Sequence, residues 1–185
     1  MSFEEQLVEY CAPTLAGLKV GSLFRYVPEA DARMEELIFL CNQRLAGKGV
    51  CLTALGKCPR GQGYLVYLYR PGALAAVMSE GAVTAFLGEC GYDSSLPELA
   101  LSRLSQRMEG GCFPHEIGVF LGYPLEDVLG FIENGGQNYR CCGCWKVYGD
   151  PGRANRQFAR FRRCTTVYRR LHRRGVSLER LTVAA

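Results

Sequence analysis

Between Cys112 and Tyr148 glycine and proline cut the chain into short pieces, and this stretch constrains the fold more than any other. It reads C-F-P-H-E-I-G-V-F-L-G-Y-P-L-E-D-V-L-G-F-I-E-N-G-G-Q-N-Y-R-C-C-G-C-W-K-V-Y. His115 to Leu121 and Leu125 to Glu133 each carry helical spacing. Gly122-Tyr-Pro124 separates them, because the residue before a proline is driven out of helix. Gly135-Gly136 ends the second. An αα-hairpin is therefore predicted, followed by short β-like structure over Tyr139 to Tyr148 around the cysteines. The spacing of Gly118, Gly122, Val128 and Phe131 also fits a helix-turn-helix. The second helix, however, places Glu126, Asp127 and Glu133 outward with no Lys or Arg, a surface that phosphates would repel.

The flanking segments supply scaffold. Residues 3–11 read as an amphipathic helix with Phe3, Leu7 and Tyr10 or Cys11 inward, ended at Cys11-Ala-Pro13-Thr. Leu18 to Val27 has strand content. Residues 31–46 carry a stripe of Met34, Leu37, Ile38, Cys41 and Leu45, with Asp31 placed as the cap and Gly47 as the stop. Gly49 to Leu55 and Tyr64 to Tyr69 are the clearest strand pair. The link between them, with Lys57, Cys58 and Arg60, lacks the order of a phosphate loop. Pro71 opens one or two short helices to Cys90, and residues 97–109 form another with Leu101, Leu104 and Met108 inward. Asp150-Pro151 starts a long helix to about Arg174 that buries Phe158, Phe161, Cys164, Tyr168 and Leu171, and a short helix over 177–181 closes the chain. The predicted class is α+β: one mostly helical domain over 1–185, with a small antiparallel sheet and a long basic C-terminal helix.

Charge is unevenly spread. Residues 1–150 hold 12 Lys and Arg against 17 Asp and Glu, whereas residues 151–185 hold ten Arg against one Glu. Arg156, Arg160, Arg163, Arg170 and Arg174 share one face of the basic helix. They are candidates for nucleic acid or an acidic protein partner, weighed against pairing with the protein's own acidic half. No apolar run is long enough to span a bilayer, and the acidic start M-S-F-E-E does not resemble a secretory signal. The expected setting is cytoplasmic, with reduced thiols.

Ten cysteines in 185 residues raise the question of thiol or metal chemistry. Cys141 and Cys144 form a C-x-x-C around Gly143, and Cys112 with His115 forms a C-x-x-H. Together they spell a four-coordinate set for a zinc or iron ion. The alternatives are a redox pair flanked by Arg140 and Lys146, with Cys164 as a further partner, and an enzyme with Cys141 or Cys142 as nucleophile and His115 as base. The bland outcomes are cysteines packed under Trp145, a capping or surface His115, and a solvated His172.

Four segments carry a family resemblance: C-A-P-T-L-A-G-L-K at 11–19, L-V-Y-L-Y-R-P at 65–71, F-P-H-E-I-G-V-F-L-G-Y-P-L-E-D-V-L-G-F-I-E-N-G-G at 113–136 and C-C-G-C-W-K-V-Y-G-D at 141–150. They resemble a bacterial family known only as a domain of unknown function, number 3793, over nearly the whole chain. The resemblance implies a cytosolic protein without an assigned activity, in a setting of iron uptake or flavodoxins. It places Cys11, Cys141, Cys142 and His115 within family motifs and leaves Cys112 and Cys144 outside them. The reading reached from residues and resemblance is a thiol- or metal-linked protein of iron or redox homeostasis.

Overall fold

The computed structural model describes residues 1–28, 33–58, 61–110 and 113–184. Asp31, Arg60 and Cys112, three residues singled out above, lie outside the described residues.

The sheet has β1 (Gly21–Tyr26), β2 (Cys51–Lys57) and β3 (Tyr64–Tyr69), antiparallel in the order β1-β3-β2. The central strand Y-L-V-Y-L-Y is apolar at both parities, the pattern of a strand covered on both faces. Leu65, Tyr67 and Tyr69 enter one core cluster, and Val66 and Leu68 enter another on the opposite face. Gly21 stands opposite Tyr69, and a Cβ there would lie 2.5 Å from the Tyr67 ring.

The first cluster packs α3 (Pro71–Met78), α4 (Gly81–Glu89), α5 (Pro97–Glu109), α6 (Ile117–Phe120) and α7 (Leu125–Glu133) on the sheet. The second packs α1 (Phe3–Leu15), α2 (Met34–Arg44) and α9 (Leu178–Leu181). The long α8 (Pro151–Arg173) runs over the outside of α1. Its N-terminal half carries a third small cluster, in which Trp145 and Val147 meet Ala154, Phe158 and Phe161. The mostly helical α+β class is borne out. Among the described residues no single helix is long and apolar enough to cross a membrane; the apolar α3 and α4 are bent 85° apart.

Local differences from the sequence reading have physical causes. α1 does not stop at Cys11 but carries Pro13 in its last turn. Gly17, at φ +74°, then closes the helix: Leu18 N–H donates to Pro13 O at 2.8 Å and Gly17 N–H to Thr14 O at 3.1 Å. This pair of bonds satisfies late carbonyls of the helix. Cys11 faces inward, and Tyr10 faces outward to stack on Phe24. β1 begins at Gly21 rather than Leu18. His115 to Leu121 is mostly a tight turn around a four-residue helix.

Cys11 is fully enclosed, and burial pushes its thiol up from the ordinary 9.0 to about 12, against a pull downward from Lys19 and a hydrogen bond to Ser22. In the unfolded chain the thiol ionises near its ordinary value, while the folded protein keeps the proton. Stability tied to this group is therefore whole below pH 9 and falls as pH rises towards 12. Cys41, pushed up to about 11 mainly by burial, acts in the same sense, and Lys19, lowered by burial, opposes them. The expected result is a melting temperature that declines from pH 9 to 11, with a shallower decline in Cys11→Ala, measured by thermal melts across that range.

Candidate functional site: a thiol-lined cleft

One buried carboxylate ties the α6–α7 pair to the small hairpin of β4 (Cys141–Cys142) and β5 (Lys146–Val147). Asp127, on α7, is only 3% exposed. Its Oδ2 accepts from the Trp145 indole N–H at 2.7 Å, and its Oδ1 accepts from the Tyr148 and Gly149 backbone N–H groups at 2.7 and 2.8 Å. The outward placement expected for Asp127 is thus corrected: three convergent donors satisfy the buried acid. Glu126 and Glu133 do face solvent. Close approach at glycines seats the hairpin. A Cβ on Gly130 would lie 2.4 Å from Tyr148 Cγ, and one on Gly143 would lie 2.3 Å from Phe158 Cδ2. Trp145 stacks on Tyr123 at 4.7 Å and meets Phe158 edge-on at 4.6 Å.

Between the hairpin and the helices opens a cleft of about 350 Å³. Ile117, Leu121, Val128, Phe131 and Trp145 supply apolar wall, and His115, Cys142, Cys144 and Lys146 supply its polar edge. Lys146 is positioned by its bond to Gly136 O at 2.7 Å and lies over the Phe131 and Tyr139 rings at 5.7 and 5.0 Å. His115 is exposed, with its ring 5.0 Å from Phe131 and 6.4 Å from Phe113.

Residue parity sorts the cysteines. Cys142 pairs across the hairpin with Lys146, so the two share a face. Cys141, one residue earlier, takes the other face and packs against the Trp145–Phe158 cluster. Cys144 stands in the three-residue turn, where Gly143 N–H donates to Trp145 O at 3.0 Å. The cleft therefore receives Cys142 and Cys144, a C-x-C pair, rather than the C-x-x-C ends. Both are exposed free thiols, whereas the other seven described cysteines are buried or half-buried. Local desolvation pushes the Cys144 thiol up, against Lys19 and Arg162, which pull it down. Cys164 sits on α8 near Tyr168 and does not line the cleft. Among the described residues no group of three or more His, Cys, Asp and Glu side chains is placed to hold a metal ion.

Three charged residues outside the cleft lining carry contacts that no sequence motif marks. Glu116, next to His115, is buried, accepts from Tyr92 O–H at 2.8 Å and pairs with Arg107 at 2.8 Å. Lys19 lies 5.5 Å from the centre of the Tyr123 ring, and its charge is felt at both Cys11 and Cys144. Two segments of the family resemblance, 11–19 and 141–150, thus meet through one lysine. Arg70, in a third segment, donates from Nε to Thr14 O and from Nη2 to Leu15 O, both at 2.7 Å, and from Nη2 to Val183 O at 2.8 Å. The partners of these charges lie far away in sequence, so no local periodicity marks them. Arg156, Arg160, Arg163 and Arg170 on α8 and Arg174 at its C-cap are all exposed, and none makes an ion pair within the described residues.

A mostly helical domain with a small central sheet and a thiol-lined cleft is the class that fold and site define. The family profile described as protein of unknown function (DUF3793) matches residues 7–182, so the chain belongs to that family. No curated protein matches it. No solved structure matches it either.

Proposed function

We propose that the protein works through the cleft as a dithiol protein of redox homeostasis, with Cys142 and Cys144 as the reacting pair. The observation that carries this reading is that the two exposed thiols line one largely apolar cleft. Cys142 would lose its proton to water and, as the thiolate, attack a disulfide in a compact partner whose apolar part rests on Phe131 and Trp145; the partner thiolates released take up protons from water. That step forms a mixed disulfide and releases one partner thiolate. Cys144, held protonated until then, loses its proton to water and attacks the Cys142 sulfur, releasing the second partner thiolate. The protein ends with a Cys142–Cys144 disulfide and the partner with two thiols, so two electrons have moved.

Dithiol chemistry stands ahead of the metal reading for a geometric reason. A zinc or iron ion would require Cys141 and Cys144 to turn to the same side, and β4 directs Cys141 towards the Trp145 cluster. It stands ahead of a thiol–imidazole enzyme because His115 packs against phenylalanine rings and makes no hydrogen bond to a cysteine among the described residues. With oxidised glutathione as the disulfide, Cys144→Ser is expected to accumulate a mixed disulfide at Cys142. The wild-type protein should resolve that adduct to the internal bridge. Adducts spread over other cysteines, or none at Cys142 in peptide mass maps, would overturn the proposal.

A further inference from the structure

The cleft leaves the basic helix unexplained, and α8 is more ordered in its charge than a solvated surface needs to be. Arg153, Arg156, Arg160, Arg163, Arg170 and Arg174 follow one another at spacings of three and four residues, with Val167 filling the one gap. That spacing draws a nearly straight line along a helix, with one guanidinium about every 5 Å over about 32 Å. All six arginines are exposed.

The protein's acidic half neutralises a different flank. Arg169 pairs with Glu9 of α1, and Arg173 lines a groove with Glu5 and Glu9. Along the line itself, Asp150 at the N-terminal cap bears on Arg153 and Arg156, and Arg153 shares a shallow groove with Glu80 and Glu126. From Arg160 onward the line has no acidic partner among the described residues.

We propose that this line is a docking surface for double-stranded nucleic acid, held through its phosphate backbone. The repeated positive charge matches a regular polyanion, and its length is close to the roughly 34 Å of one turn of a B-form duplex. The basic residues from 151 to 185 are all Arg, with no Lys, and the guanidinium fork suits phosphate oxygens. No aromatic ring stands on that face: Phe158 and Phe161 are buried and Tyr168 is half-buried, so there is no platform on which unpaired bases could stack. A membrane surface fits poorly for the same reason, because the apolar side of α8 is spent in the core and cannot insert. The surface reads charge and not bases, so affinity should be indifferent to sequence.

The test is anisotropy of labelled DNA and RNA duplexes of about two helical turns, titrated with the full chain between about 50 and 200 mM salt. The expected result is sequence-independent binding that weakens steeply with salt. In Arg156→Gln/Arg160→Gln/Arg163→Gln the slope of log affinity against log salt should shrink by about 2.7, with an affinity loss of about tenfold or more at the lower salt. Arg170→Gln/Arg174→Gln should reduce it by about 1.8, as an independent pair, while Arg173→Gln leaves it within error. The DNA and RNA arms say which duplex is preferred, and binding of either supports the proposal. Four results would overturn it: no duplex binding at the lowest salt, an unchanged slope in both multiple variants, tighter binding of a single strand than of a duplex, or displacement of the duplex by polyglutamate at equal charge concentration.

Discussion

Asp127→Ala is expected to destabilise the fold by about 3–5 kcal/mol and to detach the cysteine hairpin from α7. The substitution leaves the Trp145 indole N–H and the backbone N–H groups of Tyr148 and Gly149 without their shared acceptor, around a carboxylate that is 3% exposed. Each stranded donor carries a desolvation cost of about 1–3 kcal/mol, and the costs overlap because one cavity can admit a water to serve more than one. Asp127→Asn separates charge from shape. Its single oxygen can keep the two backbone donors, but its amide then faces the indole N–H, donor against donor. An intermediate loss of about 1–3 kcal/mol is expected. Trp145 is the only tryptophan, so its fluorescence reports on the hairpin itself, and urea unfolding followed by that signal checks both values.

Arg70→Ala is the second large effect, at about 3 kcal/mol. Arg70 is 7% exposed, and its guanidinium serves three carbonyls at once, two at the end of α1 and one at Val183 in the C-terminal segment. Its charge faces the negative end of the α1 dipole, which offsets part of its desolvation. Burial still lowers its pKa from the ordinary value, with Tyr168 pulling it up. Removing it leaves the carbonyls of Thr14 and Leu15 short of donors and frees the last residues, where Val183 N–H otherwise bonds to Leu15 O at 3.0 Å. Arg70→Lys should not restore stability, because one ammonium cannot reach the helix end and the C-terminal segment in the geometry of a fork. Denaturant midpoints of the two variants, together with early proteolysis near residue 183 in both, would bear this out.

The parts of the molecule that were legible in sequence are those governed by local periodicity. The stripe Met34, Cys41 and Leu45, the inward faces of Leu101, Leu104 and Met108, and the pairing of β2 with β3 all follow from spacing within a few residues. The Arg-bearing face of α8 was legible for the same reason. The place of β1 beside β3 was not, because pairing between strands some forty residues apart has no local pattern. Pro13 shows the same limit. By itself it predicts a stop, yet the helix end is completed by Arg70, which follows the central strand β3 some 55 residues further along the chain. At the candidate site, the stretch 112–148 stands out in sequence for its cysteines and glycines, but the partition of its cysteines does not. Spacing points to Cys141 and Cys144, whereas strand parity puts Cys141 under Trp145 and leaves Cys142 beside Cys144 in the cleft. The two acids that organise the region, Asp127 and Glu116, look like solvent-facing residues until their donors are seen.

The most direct test of the thiol-cleft account is an equilibrium redox titration of the purified chain in dithiol–disulfide buffers, with every disulfide mapped by mass spectrometry and Trp145 fluorescence read in parallel. One two-electron transition assigned to Cys142–Cys144 is expected, within the range of about −120 to −270 mV spanned by dithiol proteins of redox exchange. A fluorescence change at the same midpoint is also expected, since Trp145 adjoins Cys144. A chain in which Cys142 and Cys144 remain reduced across that range, or bridge to other cysteines instead of each other, would contradict the thiol-cleft account.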